Sequence, residues 1–574
     1  MGSEHMHKRW VVQSFKDPAK ITGLEAVLGT PAALSAILVH REIETFEAAK
    51  HFFRPSLVQL YDPFLMQGMA QAVTRLHQAL SKKEKILIYG DYDVDGTTAV
   101  AMVYGFLQSL PDASVKYYVP DRMVEGYGVS IQAIEKAYQE GVQLIITLDC
   151  GIKAYASIAR AVERGIDVIV CDHHEVGDTL PPAYAILDPK QPSCPYPFKE
   201  LSGCGIGFKL LQAFCKQYGL SPQRLYAYLD LVAVSTACDI VPLVDENRIL
   251  AYFGIKQLET NPRPGLQALM ELAFFARTIT IADIVFKIGP RINAAGRMSH
   301  ASLAVALLIE QDSTQAYHLA QSIDQQNLLR QSLDYTITQE ALAMIENSPV
   351  QGKSNVLFNP DWHKGIIGIV ASRCIEQCYR PTVILTLCDG KATGSARSIP
   401  GYNIYEAIAA CSPLLDQYGG HAFAAGLTMP LAHMATFQKQ FEEVVLETIT
   451  DELLLPQQII HALIPFQVIT QKFVNILMQM APFGPGNPTP VFASENVYAR
   501  KFHLVKAKHL KLELYQIDCA TPYEAIGFGL GGYLPLVSTG QPFSIAYTIG
   551  YNYYLGNKSL QLMIKDIKTE AFVV

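Results

Sequence analysis

The sequence predicts an α/β protein: a doubly wound parallel-sheet domain, joined by a long helix to a smaller α/β domain, with a small β-barrel at the C-terminal end. Three observations lead to this fold class. Short apolar strands alternate with helical segments between residues 85 and 171, as in βαβ units. A long polar helical pattern with one apolar stripe covers 314–347. Short strands rich in Tyr, Val and Ile follow residue 455, as in a small barrel or sandwich.

Each element follows from its local pattern. The first 80 residues are mostly helical in pattern, with breaks at Pro55 and Pro63. The alternating segment predicts strand Lys85–Tyr89, helix Thr97–Leu110, strand Val115–Val119, helix Ser130–Glu140, strand Leu144–Leu148, helix Ala154–Arg164 and strand Asp167–Cys171. Further helices are predicted near 207–218, 222–237 and 471–480, and further strands near 355–358 and 382–387. An ordinary pair of amphipathic helices fits 314–347 about as well as a single connecting helix.

These elements predict six segments along the chain. They are 1–6, a cloning remnant; 7–80, an N-terminal helical segment; 81–313, the parallel-sheet domain; 314–347, the connecting helix; 348–452, the smaller α/β domain; and 453–574, the barrel domain. A stretch of glycines at 203–207 is predicted to be a tight turn, because it is too short for a dinucleotide-binding fingerprint. The sequence contains no Gly-x-x-x-x-Gly-Lys-Ser/Thr phosphate loop, so no ATP-driven motor is expected.

Composition excludes several classes of protein. Of 574 residues, 50% are apolar and 17% are charged, which excludes a disordered or collagen-like chain. The net charge of −7 excludes a uniformly basic nucleic-acid binder but leaves room for a local basic groove. No signal peptide and no transmembrane helix are expected, since no window holds eighteen uninterrupted apolar residues. The 11 cysteines include no Cys-x-x-Cys pair, which favours a cytoplasmic protein with reduced thiols.

Three carboxylates alternate directly after the first predicted strand. They are Asp91, Asp93 and Asp95, and they would lie on one side of the chain if this segment were extended. Ionised carboxylates are costly to bury without a partner, and a cation would neutralise their repulsion. An acidic turn or a calcium loop is the simpler alternative. The EF-hand pattern does not fit, because its twelfth position, which should be Glu, is Met102.

Other metal-ligand types follow two more predicted strands. Asp149 follows Leu144–Leu148, and Asp172-His173-His174 follows Asp167–Cys171. Because ligands of doubly wound sheets bind beyond the carboxyl ends of the strands, we expect these three segments to converge. Oxygen ligands with one or two imidazoles suit Mg²⁺ or Mn²⁺ better than Zn²⁺ or copper, and there are enough carboxylates for two ions. Asp239, which follows a predicted helix, is ambiguous by itself.

These motifs together resemble the DHH phosphoesterase superfamily, whose name-giving residues are Asp172-His173-His174. Within it, the chain is similar over nearly its whole length to the bacterial 5′ exonucleases specific for single-stranded DNA. The motifs that carry the resemblance, in order, are Gly90–Gly96, Pro120–Arg122 with Glu125–Gly128, Leu148–Gly151, Asp172–His174, Tyr196–Lys199, Asp239–Leu243, Arg291–Arg297, Gly394–Ser398, Gly419–His421 and Phe483–Pro488. The resemblance implies a DHH domain, a DHHA1 domain and an OB-like C-terminal domain. Cys238 is a mild departure, since a small residue such as Ala is usual there.

The resemblance also implies roles for individual residues. One metal ion would be held by Asp95, Asp149, His173 and Asp239. Asp93 and the bridging Asp149 would hold a second ion, with Asp91 near it. His174 would contact the substrate phosphate, and Arg122 the DNA beside the scissile phosphate. The candidates for a phosphate clamp, including the 5′-terminal phosphate, are Arg297, Arg373, Ser395, Arg397 and His421. Any one of these arginines is equally explained by a surface ion pair.

The implied activity is hydrolysis of single-stranded DNA from 5′ to 3′, with two Mn²⁺ or Mg²⁺ ions, in recombination and repair. DNA contacts are expected from the barrel domain at Lys501, Lys506, Lys508 and Lys511, although a charged hairpin face would look the same. The implied partners are single-strand-binding protein and a RecQ-type helicase, and a monomer is expected, without membrane contact. The alternatives are a phosphatase for small substrates, such as nano-oligonucleotides, bisphosphates or pyrophosphate, and a catalytically silent DNA-binding scaffold.

Overall fold

A computed structural model describes residues 8–14, 17–122, 124–275, 278–348, 352–519, 521–554 and 557–569. The remnant predicted at residues 1–6 lies outside the described residues. Contacts divide the chain into two compact units. The first unit comprises Pro55–Gln339 and Pro482–Asn487. The second unit comprises the residues up to Arg54, Glu340–Ala481 and the residues from Pro488 onward.

The described residues form the following strands and helices. The strands are β1 (Arg9–Val12), β2 (Lys85–Gly90), β3 (Ser114–Tyr118), β4 (Leu144–Leu148), β5 (Asp167–Cys171), β6 (Ala185–Leu187), β7 (Asn355–Phe358), β8 (Thr382–Cys388), β9 (Lys391–Arg397), β10 (Gln417–His421), β11 (Ala424–Pro430), β12 (Gln457–Ile460), β13 (Ala462–Leu463), β14 (Phe492–Val505), β15 (His509–Tyr515), β16 (Tyr523–Gly527), β17 (Phe543–Tyr554) and β18 (Asn557–Lys568). The helices are α1 (Pro18–Leu28), α2 (Ala32–His40), α3 (Phe46–Phe53), α4 (Met69–Ser81), α5 (Val94–Gln108), α6 (Ile131–Gln139), α7 (Tyr155–Glu163), α8 (Gly203–Tyr218), α9 (Gln223–Tyr226), α10 (Leu229–Cys238), α11 (Asp245–Thr260), α12 (Pro264–Leu272), α13 (Ile281–Asp283), α14 (Gly289–Met298), α15 (Ser302–Ile309), α16 (Ser313–Glu346), α17 (Ile367–Cys378), α18 (Ile404–Ala410), α19 (Met434–Thr448), α20 (Gln471–Gln479) and α21 (Leu534–Val537).

The first unit is built on a parallel sheet of order β3-β2-β4-β5-β6. Both faces are covered, because alternate side chains of β4 enter different cores. Leu144, Ile146 and Leu148 pack into one core and Ile145 into the other. The chain order reverses between β2 and β4, which makes their carboxyl ends the topological switch point of the sheet. The predicted doubly wound sheet is confirmed.

The connecting segment is one helix, α16, of 34 residues. Its buried apolar residues include Ile323 and Ile337, as the apolar stripe predicts. The boundary between the two units falls within this helix, after Gln339. A single long helix is therefore correct, and the alternative of a helix pair is not observed.

The second unit contains a mixed sheet and a barrel. The mixed sheet has the order β10-β11-β9-β8-β7, in which β7 and β8 are parallel and the other pairs antiparallel. Five strands close into a barrel in the order β14-β15-β16-β18-β17, because β17 also pairs with β14. Strand β1 pairs in parallel with β12, so the N-terminal segment contains a strand that its helical pattern does not predict.

Two local predictions were wrong. Residues 203–207 are not a tight turn but the first turns of α8. The glycines there allow close packing: an ideal Cβ at Gly207 would lie 3.1 Å from Leu148 Cδ2. The helix predicted over 222–237 is divided into α9 and α10. Taken singly, none of the helices in the described residues is long and apolar enough to cross a membrane; the bent pair α1 and α2 meets that test by length and composition only.

Candidate metal centre and phosphate-binding residues

The candidate metal ligands lie where the sheet presents the ends of its strands. Asp91 follows β2, Asp149 follows β4, and His173 comes one residue after Asp172, which follows β5. Asp239 is the residue at which α10 ends. Parallel strands place their carboxyl ends at one edge, and this is why segments far apart in sequence meet.

The segment that contains Asp93 and Asp95 is not extended, as the alternation of its carboxylates suggested, but forms the start of helix α5. The chain turns into α5 immediately after Tyr92, and the Asp93 carboxylate caps the helix by accepting a hydrogen bond from the Gly96 N–H at 3.0 Å. Asp95 lies in the first helical turn. Gly96 leaves no room for a side chain, because a Cβ there would overlap the Asp91 carbonyl oxygen.

His173 stands at the centre of three carboxylates. Its Nε2 atom is 3.1 Å from Asp149 Oδ1, 3.6 Å from Asp239 Oδ2 and 3.8 Å from Asp95 Oδ2. Two sets of side chains have ligand atoms within 4.8 Å of one another: Asp95, His173 and Asp239, and Asp149, His173 and His174. His173 belongs to both sets. Neither set among the described residues includes Asp91 or Asp93.

The electrostatics of this cluster favour a cation. Burial, and then repulsion from Asp93, raise the pKa of Asp95 to about 6. Burial and repulsion from Asp95 raise the pKa values of Asp149 and Asp239 well above the ordinary range. Asp239 Oδ2 is buried and accepts no hydrogen bond from the described residues, and the same holds for Asp91 Oδ2. Buried, unpaired carboxylate oxygens are what a hard divalent cation requires, so the residues fit Mg²⁺ or Mn²⁺.

The imidazole of His173 is suited to ligate a metal. Burial lowers the pKa of His173 to about 3, so the ring is neutral at physiological pH. The backbone of Leu201 opposes this lowering of the pKa without reversing it. A neutral imidazole whose Nε2 faces carboxylates is the usual form of a metal-bound histidine.

Asp95 is held by three donors around the start of α8. The N–H groups of Gly203 and Cys204 donate to its two oxygens at 2.6 and 2.8 Å, and the Ser235 hydroxyl donates at 2.6 Å. Four lone-pair sites are available on a carboxylate, so one remains for a metal ion. An ideal Cβ at Gly203 would lie 2.6 Å from the Asp149 Cβ. This close approach explains the glycine that was taken for part of a turn.

Asp172 is a site residue that the sequence reasoning left without a role. Its Oδ1 accepts hydrogen bonds from His174 Nδ1 at 2.7 Å and from the His173 N–H at 2.8 Å, and its Oδ2 from the Ile152 N–H at 2.9 Å. Burial alone would raise the pKa of Asp172, but the hydrogen bond with His174 and its charge lower it to about 2. Asp172 therefore orients the two histidines rather than facing the ligand cluster.

Tyr127 is a second residue without a predicted role. Its hydroxyl donates to the Asp149 carbonyl oxygen at 3.1 Å and lies 3.0 Å from His174 Nε2. If the single hydroxyl hydrogen goes to the Asp149 carbonyl oxygen, a doubly protonated His174 ring satisfies both of its contacts, donating from Nε2 to Tyr127 and from Nδ1 to Asp172. Burial would lower the pKa of His174, but Asp172 outweighs burial and raises it. The Glu125–Gly128 motif was the signal that could have identified Tyr127.

Two predicted arginines of the first unit lie around one aromatic ring. The Arg122 guanidinium is 4.9 Å from the centre of the Tyr92 ring. Burial and then repulsion from Asp93 raise the pKa of Asp91 well above its ordinary range, and the charge of Arg122 opposes this rise. Arg297, on α14, also acts electrostatically on Tyr92. An ideal Cβ at Gly296 would lie 2.9 Å from the Tyr92 carbonyl oxygen, so α14 packs closely beside the acidic segment. The structure thus brings both arginines next to the carboxylate cluster.

Ser395 and Arg397 form a compact group in the second unit. Arg397 Nη1 donates to Ser395 Oγ at 2.9 Å and to the Ala396 carbonyl oxygen at 2.8 Å. An ideal Cβ at Gly368 would lie 2.8 Å from Arg397 Nη2 and 2.9 Å from Ser395 Oγ. Gly368 is in the first turn of α17, so the guanidinium and the hydroxyl adjoin a helix N-terminus. Those three features together suit an anion such as phosphate.

His421 shares a sheet face with this group, whereas Arg373 lies on α17 and forms an ion pair with an acidic neighbour. His421 pairs with Ala424 and Ala424 with Arg397 across three neighbouring strands. Directly opposed residues point to the same face, so His421 and Arg397 lie roughly 10 Å apart on one face. The Arg373 side chain is 51% exposed and forms an ion pair with Glu376 at 3.0 Å. Arg373 thus has the surface ion pair considered above as its alternative.

The four lysines of the barrel fall into two kinds. Two lie on strands and are paired with acids: Lys501 with Glu513 at 2.8 Å and Lys511 with Glu524 at 3.1 Å. The other two, Lys506 and Lys508, are exposed in the turn between β14 and β15. A lysine next to a carboxylate contributes less attraction for phosphate than a lysine surrounded by water.

Three family models match successive parts of the chain. Residues 85–236 match the DHH family, N-terminal domain, residues 351–447 the DHHA1 domain, and residues 460–566 the RecJ OB domain. The three matches agree with the parallel sheet, the mixed sheet and the barrel observed here.

Known proteins match over nearly the full chain. The single-stranded-DNA-specific exonuclease RecJ of Bacillus subtilis is 38% identical over 569 residues, 97% of this chain and 70% of that protein. The crystal structure of RecJ from Thermus thermophilus with Mn²⁺ superposes with a TM-score of 0.85 at 27% identity, covering 98% of this chain and 80% of that one. The structure with Mg²⁺ from the same organism gives a TM-score of 0.79 at 26% identity, covering 98% and 79%. With its three domain types in order and this identity over almost its whole length, the chain belongs to the RecJ family.

Proposed function

We propose that the protein degrades single-stranded DNA from the 5′ end by hydrolysis of phosphodiester bonds, releasing 5′ mononucleotides in recombination and repair. The observation that carries this proposal is the convergence of three carboxylates, those of the buried Asp95 and Asp149 and the partly buried Asp239, on His173 Nε2 in a chain of the RecJ family. The related protein from Thermus thermophilus binds Mn²⁺ and Mg²⁺ in its crystal structures, which supports the same ions here.

The proposed ligands divide between two ions. Asp95, Asp149, His173 and Asp239 hold the first. Asp149 also serves the second, together with Asp93, and Asp91 adds negative charge beside it from a buried position. Two bound cations would supply the positive charge that activates a water molecule and stabilises the leaving oxygen.

The surrounding residues position the substrate. The His174 imidazolium, held between Asp172 and Tyr127, is placed to bind a phosphate oxygen through Nε2–H once substrate displaces the tyrosine hydroxyl. Arg122 and Arg297, beside Tyr92, neutralise the phosphates next to the scissile bond. Because His174 and the arginines are donors without acceptors, they favour a polyanionic substrate.

We assign the clamp for a further phosphate, including the 5′-terminal one, to Ser395, Arg397 and His421, with Arg373 as a weaker member. A forked guanidinium, a hydroxyl and a helix N-terminus can together satisfy the oxygens of a terminal phosphate. The turn lysines Lys506 and Lys508 contact the strand backbone, and Lys501 and Lys511 add less because each is paired with a glutamate.

The cellular setting is also a proposal. A cytoplasmic monomer that makes no membrane contact and acts with single-strand-binding protein and a RecQ-type helicase would meet its substrate where duplexes are unwound. Pull-down of the purified chain with each purified partner tests this part separately from the enzymatic activity.

The proposed reaction is tested with a 5′-phosphorylated single-stranded oligonucleotide labelled at its 3′ end. Its length is followed over time in Mn²⁺, in Mg²⁺ and in EDTA, beside the matching duplex and a circular single strand. Metal-dependent shortening of the linear single strand, lost in Asp149→Ala and kept in the exposed control Asp178→Ala, is expected. Cleavage of the circle would contradict a 5′-end requirement. Binding of the oligonucleotide without shortening would favour a catalytically silent scaffold. Activity limited to substrates of a few nucleotides would favour a small-substrate phosphatase.

A further inference from the structure

A short turn from the C-terminal half of the chain belongs to the first unit. Residues Pro482–Asn487 are grouped with the parallel-sheet unit, although the residues on both sides belong to the second unit. The turn is closed by mutual hydrogen bonds between the backbones of Gly484 and Asn487, each at 3.0 Å. The buried Asn487 side chain adds a third bond, because its Nδ2 donates to the Pro482 carbonyl oxygen at 2.7 Å. The conformation of the turn is therefore fixed by its own hydrogen bonds.

This turn packs on the loop that carries the metal ligand Asp239. The Leu243 N–H donates to the Pro485 carbonyl oxygen at 2.6 Å. A Cβ at Gly484 would overlap the Cδ1 atom of the buried Leu243 side chain, so any larger residue would have to displace that side chain. Gly486, whose φ is +71°, also packs closely, because an ideal Cβ there would lie 3.2 Å from Pro242 Cβ. The turn thus covers the loop a few residues after the metal ligand.

The loop after Asp239 contains a strained backbone conformation that requires support from its surroundings. Ile240, immediately after Asp239, has φ +62°, a left-handed conformation that a β-branched residue rarely adopts. Its side chain is 67% exposed, so its own burial does not stabilise this conformation. Strained backbone persists where the surrounding structure determines it.

Two neighbouring side chains complete the restraint. Asn247 Nδ2 donates to the Pro242 carbonyl oxygen at 3.0 Å and to the Glu200 carbonyl oxygen at 2.5 Å. Arg248 donates to the Pro482 carbonyl oxygen at 3.4 Å. Asn247 therefore joins the Asp239 loop to the segment just before Gly203, whose N–H binds Asp95, and Arg248 joins the start of α11 to the turn.

We propose that the turn Pro482–Asn487 is a positioning element for the metal ligand Asp239, and that the affinity of the centre for its divalent cation depends on it. The inference rests on the proposed metal centre. By this proposal the C-terminal segment has a second role besides the contacts of the barrel with DNA, because it helps to hold Asp239 in place. Asp239 Oδ2 is buried and has no hydrogen-bond donor among the described residues. The turn contacts neither metal nor substrate and acts only through the loop.

The test is Mn²⁺ binding by the full chain without DNA, measured by calorimetry and by electron paramagnetic resonance. Asp239→Ala should abolish one Mn²⁺-binding event. Gly484→Ala should lower the Mn²⁺ affinity of that same event by about tenfold, as expected for residues that orient a ligand. The Mn²⁺ concentration for half-maximal nuclease activity should rise by a similar factor, with kcat recovered at saturating Mn²⁺. Gly23→Ala is the matched control, since its Cβ would meet no atom within 4 Å and its φ is ordinary. It should bind Mn²⁺ like the parent chain.

A double-mutant cycle separates positioning from general packing. Leu243→Ala in the Gly484→Ala chain removes the overlapping side chain, so it should recover part of the lost Mn²⁺ affinity. If Gly484→Ala does not fold, Asn487→Ala removes the side-chain bond of the turn without adding an atom and carries the same expectation. A variant that unfolds at lower temperature in EDTA yet binds Mn²⁺ as tightly as the parent would overturn the inference. If Asp239→Ala itself binds Mn²⁺ like the parent, the proposed metal centre fails instead.

Discussion

The candidate metal centre and the candidate phosphate-binding residues of the second unit carry opposite charge and are built in opposite ways. The carboxylates of the metal centre are mostly buried, come from distant parts of the chain, and are oriented by backbone and side-chain donors. The cations of the second unit are more exposed and lie on the mixed sheet, on the neighbouring helix α17 or on one barrel hairpin, and several are paired with nearby acids. Burial makes each charge of the first group strongly dependent on a bound ion, whereas water already solvates the second group. Substitutions should therefore have large effects in the first group and graded, modest ones in the second.

The largest effect is expected from Asp149→Asn, which keeps the shape of the ligand and removes its charge. Loss of several kcal/mol of transition-state stabilisation corresponds to about a thousandfold lower kcat. In EDTA, the same variant should melt at a higher temperature than the parent chain, because a buried repulsion is relieved. Single-turnover nuclease rates and thermal unfolding check the two halves. An unchanged rate would show that Asp149 is not a ligand, and Asp178→Asn, an exposed substitution in the same unit, should alter neither quantity.

The next effect is expected at Asp172, which bonds to the His173 backbone and to the His174 ring and is not itself a proposed metal ligand. Asp172→Asn should lower kcat/KM by about 10- to 100-fold, the usual cost of losing a residue that orients ligands. Without its carboxylate the pKa of His174 falls, so the loss of activity on the alkaline side should move to lower pH. A pH profile of kcat/KM checks this. A uniform loss with an unmoved alkaline limb would mean that Asp172 acts on the fold rather than on His174.

For the second unit, Arg397→Ala should reduce the preference for a 5′-phosphorylated over a 5′-hydroxyl strand by about tenfold, the value of one charge-assisted hydrogen bond. Arg397→Lys should recover only part of it, because an ammonium group cannot form the fork. Arg373→Ala should change the preference by about twofold or less, since that residue is in an exposed ion pair. Competition between the two substrates in one tube measures the ratio directly. An equal loss of the 5′-phosphate preference in Arg397→Ala and Arg373→Ala would show that the two arginines contribute alike to phosphate binding.

The buried carboxylates should also set the pH dependence of stability. Asp95, Asp149 and Asp239 have pKa values raised above those of an unfolded chain, near 4, so the folded protein holds protons that the unfolded chain releases. In EDTA the free energy of unfolding should therefore fall as pH rises above about 4, with the Asp95 contribution lost through about 6. The melting temperature should fall by a few degrees over this range. Asp149→Asn should flatten this slope, and Mn²⁺ should oppose it by binding the ionised form. Parallel slopes for parent and variant would contradict the raised pKa values.

Features that depend on local sequence were predicted more accurately than features that depend on contacts between distant parts of the chain. Strands β4 and β5 are predicted to the residue, because an apolar run of five residues rich in Ile and Val is too short for a buried helix. The start of α5 was missed by three residues, because Asp93 caps the helix and the sequence suggested a metal ligand instead. The sequence predicts a turn at residues 203–207, because the contacts that require glycine there, Gly203 with Asp149 and Gly207 with Leu148, are made only in the folded chain.

Site residues divide in the same way. Asp149, His173 and Asp239 were identified from strand ends and a family motif, and the structure brings them together. Asp172 and Tyr127 stand in two of the quoted motifs, but the sequence assigns them no role, because it does not show which histidine each of them contacts. Phe483–Pro488 was recognised as a motif, but its contact with the Asp239 loop required tertiary structure.

The smallest effects are expected at the barrel lysines, where the comparison can be made within one hairpin. Replacing Lys506 and Lys508 together with Ala should reduce the slope of log affinity against log salt for single-stranded DNA by about 1.4, since each phosphate contact contributes about 0.7. Replacing Lys501 and Lys511 should reduce the slope by less than half of that, because Glu513 and Glu524 already offset their charge. Fluorescence anisotropy at several salt concentrations measures both slopes, and point substitutions avoid the loss of the Pro482–Asn487 turn that deletion of the C-terminal segment would cause. Equal changes for the two pairs would mean that DNA displaces the glutamates, and that a pairing seen in the free protein does not predict which lysines meet the strand.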